Sequence, residues 1–234
     1  MSRIRLSRIS CCILFSLALP LAGVRALTQE KQTWRDAFLV DKANLVDRGK
    51  GTYFNLEPGY CLHFAHGKDT LTITVLDETQ FVDGVKTRVV EEREMKGGKL
   101  AEVSRNYFAI DPSNDALYYF GEDVDIYKNG KVAGHEGAWR AGLQGASFGL
   151  MVSGKARVGD KYYQELAPKV AMDRAEVISV TEEVRTPAGT FNNCLQTRES
   201  SAVERGSERK WYAPGVGLVR DAEFVLVRID KDKT

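Results

Sequence analysis

The stretch TLTITVLDETQFVDGVKTRVVEERE, residues 70–94, decides the fold class of this chain. In its first half Leu71, Ile73 and Val75 are separated by single threonines. Apolar residues at every second position are typical of a half-buried β-strand, because successive side chains of a strand point to opposite faces. The pair Asp83-Gly84 fits a two-residue turn whose twist matches that of paired strands. The stretch therefore predicts an antiparallel hairpin.

Similar turn signals recur along the rest of the chain. They include KGGK, DPSND, KNGK, TPAGT and APGVG, and strand-forming runs lie between them. Short strands separated by turns with glycine or proline are typical of all-β proteins. We therefore predict an all-β fold of about ten strands, built as a single antiparallel, strongly curved sheet or as a sandwich or half-barrel.

Two segments lack this pattern. The first, TWRDAFLVDKANLVD (33–47), spaces Trp34 and Phe38 four residues apart, which predicts a short N-terminal helix. The second, WRAGLQGASFGLMVSGKA (139–156), is rich in glycine and has no clear period. We predict that this second segment is a loop that covers one end of the sheet.

Residues 1–26 have the features of a secretory signal peptide. Arg3, Arg5 and Arg8 precede the apolar run CCILFSLALPLAG, and small residues then predict cleavage after Ala26. The apolar run is shorter than the roughly 20 residues that span a bilayer. We expect residues 27–234 to form a single β-rich domain that is periplasmic or secreted and has no transmembrane segment.

The charge of the expected mature chain excludes one class of partner. Removal of residues 1–26 would take away four arginines and no acids, which leaves 29 basic and 32 acidic residues, a net charge of −3. A chain of this balance, without a basic cluster, is not expected to bind nucleic acid.

The cysteines and histidines leave alternatives open. Export would place Cys61 and Cys194 in an oxidising compartment, where they either form a disulfide or remain two separate buried thiols. Cys61 and His63 lie two residues apart and share a face of a predicted strand, so they could begin a zinc site. Such a site needs a further ligand, and His135 is the remaining candidate.

No catalytic motif is complete, so we predict no catalytic residues. GASFG (145–149) matches the G-x-S-x-G pattern, but every histidine of the chain precedes Ser147. An α/β-hydrolase needs its histidine after the serine and the acid. GLMVSGKA (149–156) resembles a phosphate loop, but Ala156 stands where the loop needs a hydroxyl.

The segment YYQELAPKVAMDRAEV (162–177) is the predicted ligand-binding edge. It combines aromatic rings with a few polar groups, which is typical of surfaces that bind sugars and other small molecules. The candidate ligand-binding residues are Tyr163, Glu165, Asp173 and Arg174. The alternative is two strands joined at a corner that contains proline, with Asp173 and Arg174 as a local ion pair.

The segment GEDVDIYKNGKVAGHEGAW (121–139) can be interpreted as a calcium loop or as a hairpin. The calcium-loop pattern fails at Tyr127, where an oxygen ligand is expected, and the flanks lack a helical period. A hairpin around Asn129-Gly130 is therefore favoured. Its register would pair Tyr127 with Val132 and, further out, Phe120 with Trp139.

This register gathers three acids on one face of the hairpin, Asp123, Asp125 and Glu136. Like charges across a strand pair cost on the order of 0.2 to 1 kcal/mol, so we expect something to neutralise them. A weak calcium site built by these three acids is one hypothesis. Arg140 on the same face and screening by solvent are the alternatives.

Four segments carry a resemblance to known proteins: residues 106–139, residues 158–177, TPAGTFNNCL (186–195) and WYAPGVGLV (211–219). From about Tyr53 onward the chain resembles uncharacterised exported bacterial proteins akin to the TapB-like domains of unknown function. The resemblance implies an all-β, antiparallel, strongly curved domain. It implies no reaction and no catalytic residue.

These observations favour an exported, non-enzymatic β domain that binds a ligand or protein partner in the concavity of its sheet or along an edge. A hydrolase of envelope carbohydrate that uses paired carboxylates is one alternative. A structural or assembly protein of the cell envelope is another. The expected partner is a small molecule, a glycan or an envelope protein, and no cofactor is expected other than the calcium ion considered above.

Overall fold

The computed structural model describes residues 33–231, and this part of the chain is all-β, as predicted. It has seventeen strands rather than about ten. They are β1 (Lys50–Gly51), β2 (Phe54–Asn55), β3 (Cys61–His66), β4 (Asp69–Val82), β5 (Val85–Lys96), β6 (Lys99–Asp111), β7 (Ala116–Lys128), β8 (Lys131–Gly134), β9 (Trp139–Arg140), β10 (Ser147–Ser153), β11 (Lys161–Tyr163), β12 (Glu165–Leu166), β13 (Asp173–Thr186), β14 (Gly189–Ser201), β15 (Glu208–Ala213), β16 (Gly217–Asp221) and β17 (Phe224–Asp230). The predicted signal peptide and its cleavage site lie outside the described residues. Within 33–231, no helix is long and apolar enough to cross a membrane.

Fifteen of the strands form one antiparallel sheet. Its order is β11-β13-β14-β15-β16-β17-β3-β4-β5-β6-β7-β10-β12, with β8 and β9 paired to β7. The two ends of this order, β11 and β12, are separated in the chain by Gln164 alone. The sheet is therefore nearly closed into a barrel.

Gly149 on β10 permits this near closure. A Cβ atom at this position would lie 2.2 Å from the carbonyl oxygen of Gln164, which is too close for any side chain to be accommodated. Gln164 in turn donates its backbone N–H to the carbonyl oxygen of Asp173, at 2.8 Å. The glycine lets β10 approach the segment that joins the two ends of the sheet.

The predicted loop over 139–156 is wrong for its second half, because Ser147–Ser153 forms β10 and pairs with β7. Leu150 and Val152 of this strand are buried. The glycines gave the segment the composition of a loop, whereas Gly149 serves a close backbone contact within the sheet. Ser147 lies at the start of a strand, so the elbow between a strand and a helix that a nucleophilic serine needs does not occur there.

The predicted N-terminal helix is also wrong. The helical structure of residues 33–47 is one 3₁₀ turn, Lys42–Asn44, which the side chain of Asp41 caps. The backbone of Arg35 instead pairs with β11: its N–H donates to Lys161 O at 3.0 Å, and its carbonyl accepts from Tyr163 N at 2.9 Å. Pairing with a strand edge overrides the weak helical spacing of this segment.

The predicted hairpin of residues 121–139 is confirmed near its turn. Tyr127 pairs with Val132, and Asn129 and Gly130 both have positive φ angles, 54° and 74°, as a two-residue primed turn requires. Farther out a bulge shifts the register. Trp139 consequently lies opposite Glu122 rather than Phe120, which corrects the predicted pairing.

One part of the inner face of the sheet is apolar, and the other part is polar. Residues opposite each other on antiparallel strands share a face. In one such row Leu62, Ile73 and Glu92 follow one another across β3, β4 and β5. Leu62, Phe64 and Val90 are buried members of the core on this face. Glu92, the last residue of this row, is where the polar part of the inner face begins.

Candidate functional site

The first wall of the site is formed by β5, β6 and β7. Glu92 on β5 lies opposite the buried Ser104 on β6, and Glu94 lies opposite Glu102. Glu122 on β7 lies opposite the buried Asn106 of β6. This part of the inner face therefore carries carboxyl and other polar groups where the neighbouring strands carry apolar ones.

The second wall is formed by β13 to β16. Lys210 on β15 lies opposite Asp221 of β16, and Glu208 lies opposite Glu199 of β14. One cavity of about 270 Å³ has both walls in its lining, with Glu92 and Glu102 from the first and Asp221 from the second. The two walls therefore face each other across the interior of the curved sheet.

Together the walls enclose what we call the acidic chamber. It is the space around Lys210 that is lined or bordered by Glu92, Glu102, Glu122, Glu165, Asp173, Glu199, Glu208 and Asp221. Glu122 is included because it lies opposite the buried Asn106 on the same face of the sheet, and Glu165 because burial and the charge of Glu122 both raise its pKa. The close grouping of so many acids on an inner face is the main electrostatic feature of the described chain.

Lys210 is shared among three of these acids. Its Nζ lies 3.4 Å from Glu199, 3.4 Å from Glu208 and 3.5 Å from Asp221. Burial acts to lower the pKa of Lys210, but the charges of the surrounding acids outweigh burial and hold this pKa well above its ordinary value. Lys210 is therefore already paired with acids of the second wall.

Glu199 is fixed by neutral donors as well as by Lys210. Its Oε1 accepts hydrogen bonds from Thr197 Oγ1 at 2.9 Å, Gln164 Nε2 at 3.1 Å and the hydroxyl of Tyr212 at 3.2 Å. Hydrogen bonds to a charged acceptor are stronger than those between neutral groups. This carboxylate is a rigid part of the chamber.

Five other acids of the chamber have no cationic partner among the described residues. Within residues 33–231, no lysine, arginine or histidine nitrogen lies within 4.0 Å of a carboxylate oxygen of Glu92, Glu122 or Glu165, and the same holds for Glu102 and Asp173. Burial and neighbouring acids raise the pKa of Glu92 to about 7 and that of Glu122 to about 8. They raise the pKa of Glu165 well above its ordinary value.

Tyr162 adds an unpartnered hydroxyl beside the chamber. The residue is 2% exposed, and its OH has no hydrogen-bond partner in the described part of the chain. The charge of Glu199 contributes to raising the pKa of Tyr162, so the hydroxyl lies near that carboxylate. A buried hydroxyl without a partner is unfavourable, and a bound ligand or water would satisfy it.

An apolar cavity of about 120 Å³ adjoins the chamber. Its lining includes Tyr60, Val90 and Leu218, and also Glu92, Lys210 and Asp221. Glu92 and Asp221 line the acidic cavity as well, so the two spaces meet at these residues. The interior thus combines an apolar region and an acidic region in one continuous concavity.

The structure divides the predicted ligand-binding set into two pairs. Glu165 and Asp173 belong to the acidic chamber, where the charge of Asp173 contributes to the raised pKa of Glu165. Tyr163 and Arg174 instead lie opposite each other and pack on Trp34 of the N-terminal segment, with the Arg174 guanidinium 4.5 Å from the ring centre. Only the two acids are therefore near the interior.

The three acids of the predicted calcium site lie on the hairpin of β7 and β8 and beyond it, outside the chamber. Arg140 Nη2 lies 2.7 Å from both carboxylate oxygens of Asp123, and Tyr107 donates its hydroxyl to Asp123 at 2.7 Å. His135 Nδ1 lies 3.0 Å from Asp125. Glu136 is exposed. In residues 33–231, no three His, Cys, Asp or Glu side chains are arranged to hold a metal ion.

Cys61 and Cys194 are separate thiols. Cys61 Sγ lies 3.3 Å from His63 Nε2, and the same nitrogen lies 2.9 Å from Asp230 and 2.9 Å from Arg228. His135, the third ligand considered for zinc, lies on a different hairpin and contacts Asp125. The nitrogen of His63 that faces Cys61 therefore already has a cationic neighbour, Arg228.

Glu92, with Glu91 and Glu94, fits a solvated sheet face in the sequence, which is wrong for Glu92 because it lines both cavities, and the sequence contains a signal for its inward position. Counting outward from the Asp83-Gly84 turn puts Glu92 opposite Val75, on the apolar face of β4. In the structure a bulge shifts the pairing by two residues, so that Glu92 lies opposite Ile73. A shift of two keeps the residue on the same face. No comparable short-range signal identifies Lys210 or Asp221.

No family model matches the chain, so the resemblance to TapB-like domains is not confirmed. No curated protein matches it either. Among solved structures, the chain is similar to a Parabacteroides distasonis protein described as a "putative lipoprotein", with 16% sequence identity and a TM-score of 0.38 over 77% of this chain and 100% of that chain. A TM-score this low does not show a shared fold, so the similarity assigns neither fold nor function.

Proposed function

We propose that this chain is an exported, non-enzymatic β domain, periplasmic or secreted, that binds a positively charged ligand in the acidic chamber. One observation carries the proposal: Glu92 lines the acidic cavity, and in residues 33–231 no lysine, arginine or histidine nitrogen lies within 4.0 Å of its carboxylate oxygens or of those of Glu122 and Glu165. The three acids are half-buried, and carboxylates withdrawn from water are normally paired. A cationic ligand would supply the missing partner.

The near closure of the sheet favours binding inside over assembly through strand edges. Edge assembly needs a long strand with unpaired backbone groups. The ends of the sheet order are instead the short strands β11 and β12, with three and two residues, which adjoin each other through Gln164. This architecture therefore favours a ligand in the concavity over assembly through strand edges.

The proposal is tested by calorimetric titration with spermine, a flexible polyamine that serves as a general cationic probe. Because Glu92 and Glu122 must be ionised to attract a cation, binding should be stronger at about pH 8.5 than at about pH 6. The double variant Glu92→Gln/Glu122→Gln should weaken binding at least about tenfold.

The matched control is Glu78→Gln/Glu183→Gln, which removes two exposed acids that pair with Arg105 and Arg185 on the surface. This control should bind spermine as the parent does. Equal weakening in both variants would show that spermine responds only to net charge. Either that result or an absence of binding to the parent would refute the proposal.

The raised pKa of Glu122 also favours a second candidate, the hydrolase of envelope carbohydrate. A general acid must be protonated at neutral pH, and burial raises the pKa of Glu122 to about 8. The test is the release of reducing ends from purified peptidoglycan glycan strands. Turnover that disappears in Glu122→Gln would establish the hydrolase, and no release above the buffer blank would reject it.

A further inference from the structure

The apolar cavity beside the acidic chamber narrows the class of ligand. Its lining includes Tyr53, Phe54, Leu56, Tyr60, Val90 and Leu218, so most of its wall is aromatic or aliphatic. Its volume is about 120 Å³. An engineered apolar cavity of roughly 150 Å³ is known to bind benzene, so this one is of a size for a single ring or a short branched alkyl group.

Charged groups stand at one side of this apolar cavity. Glu92, Lys210 and Asp221 belong to its lining. Asp221 lies 3.5 Å from Lys210, so these two partly neutralise each other. Glu92 has no ion-pair partner in residues 33–231. These three residues form the rim of the cavity, which has two acids and one lysine. The rim lies next to a space that accepts an apolar group.

An anionic head group does not fit this rim. Lys210 is the cation that would have to receive it, and Glu199, Glu208 and Asp221 already surround its Nζ at 3.4 to 3.5 Å. A carboxylate ligand would be placed among these acids and repelled by them. A ligand with a cationic head and an apolar body is complementary to both regions.

The geometry points to a primary amine that carries one ring-sized apolar group, with the ring in the cavity of Tyr60 and Leu218 and the ammonium group at Glu92. This inference rests on the proposed function and specifies its ligand class. A flexible polyamine would use the acidic chamber alone, whereas this class uses both regions at once. The apolar part then contributes affinity by leaving water.

Titration with three probes distinguishes an amine that uses both regions from a polyamine that uses the acidic chamber alone. They are 2-phenylethylamine, the neutral 2-phenylethanol of the same shape, and spermine. We expect 2-phenylethylamine to bind at least about tenfold more tightly than 2-phenylethanol. Comparable affinity of the amine and the alcohol would refute a cationic head at Glu92.

Two variants with added bulk locate the ring. Leu218→Trp should fill the apolar cavity and weaken 2-phenylethylamine at least about tenfold without changing spermine binding. Val227→Trp adds the same bulk at an exposed position of β17 and should change neither. A thermal melt of each variant confirms that it folds.

The outcomes are distinguishable. If spermine binds as expected but Leu218→Trp leaves the affinity for 2-phenylethylamine unchanged in a folded protein, the ring is not in the cavity and this inference is wrong while the proposed function stands. If Leu218→Trp does not fold, Met151→Phe, which enlarges another side chain of the same lining, replaces it with the same expected result. If neither amine binds, both the inference and the proposed function are wrong.

Discussion

Two acidic regions of this chain look alike in sequence and differ in structure. On the outer hairpin, Asp123 is held by Arg140 and Tyr107, and Asp125 by His135. In the acidic chamber, Glu92 and Glu122 have no cationic partner in residues 33–231. The outer acids receive their partners from the neighbouring strands β6 and β9 and from the residue that follows β8. The difference shows that unpaired charge, rather than charge itself, is the reason for placing the proposed ligand in the chamber.

The largest effect is expected from Lys210→Met, which removes the cation shared by Glu199, Glu208 and Asp221. Removal of one partner from a buried ion pair typically costs 3 to 5 kcal/mol, because it leaves an uncompensated charge. We expect a loss of about 3 kcal/mol, which corresponds to a decrease of roughly 6 to 12 °C in Tm for a chain of this size. Thermal melts near neutral pH measure it.

A matched control for this change is Lys161→Met. Lys161 pairs with one acid, Glu176, at 3.4 Å. Because Glu176 keeps Arg198 as a second cationic partner, no unpaired charge is left, and we expect Lys161→Met to cost about 1 kcal/mol. Similar losses for the two lysines would mean that the cation shared by three acids is no more important than one that pairs with a single acid.

The next largest effect concerns pH. The pKa of Glu92 is raised to about 7 and that of Glu122 to about 8, so the folded state holds protons that the unfolded chain has already released. Stability of the ligand-free protein should therefore decrease as the pH rises from about 5 to about 8. After allowance for their partial exposure to solvent, we expect the two groups to contribute on the order of 2 kcal/mol.

Glu92→Gln/Glu122→Gln should reduce this pH dependence, leaving the part that comes from Glu165, and raise Tm at about pH 8 by roughly 4 to 8 °C. Melts of both proteins across that range measure the difference. A parent protein that gains stability on going from about pH 5 to about pH 8 would contradict the sign worked out above. The surface double variant Glu78→Gln/Glu183→Gln should retain the slope of the parent.

Local features of the fold were predictable from the sequence, and those that depend on distant segments were not. The turn at Asn129-Gly130 and its first pairs follow from two adjacent residues with positive φ and from strand alternation. The near closure of the sheet depends on Gly149 meeting Gln164, and no short-range pattern predicts such a contact. A glycine in a strand and a glycine in a loop look the same in one sequence.

In the site, too, local features were predictable from the sequence and contacts between distant segments were not. The inward face of Glu92 follows from its distance to the Asp83-Gly84 turn. Its proximity to Lys210 and Asp221 depends on how a sheet of fifteen strands curves back on itself. The raised pKa of Glu122 likewise results from burial and from Glu92 on a strand two positions away in the sheet. Alternation predicts which side chains share a face, but not which faces meet.

A smaller effect is expected on the outer hairpin. Arg140→Met keeps an apolar stem over the ring of Tyr107 and removes the guanidinium that pairs with Asp123. Because the aspartate side chain is 58% exposed, water replaces most of what is lost. We expect a cost of about 1 kcal/mol in thermal or denaturant melts. Arg185→Met, at a more exposed pair with Glu183, should cost less than about 0.5 kcal/mol.

The smallest effect is expected from calcium at Asp123, Asp125 and Glu136, which remains a prediction of the sequence. Arg140 already contacts both oxygens of Asp123, and a metal ion would have to displace it. Millimolar calcium or EDTA should therefore shift Tm of the parent by less than about 1 °C, which is below about 0.5 kcal/mol. A larger rise with calcium that disappears in Asp123→Asn/Glu136→Gln would instead establish the site. Arg140→Met sharpens the comparison, because it frees Asp123 and should increase any response to calcium, whereas an unchanged response would mean that Arg140 is not what keeps the ion away.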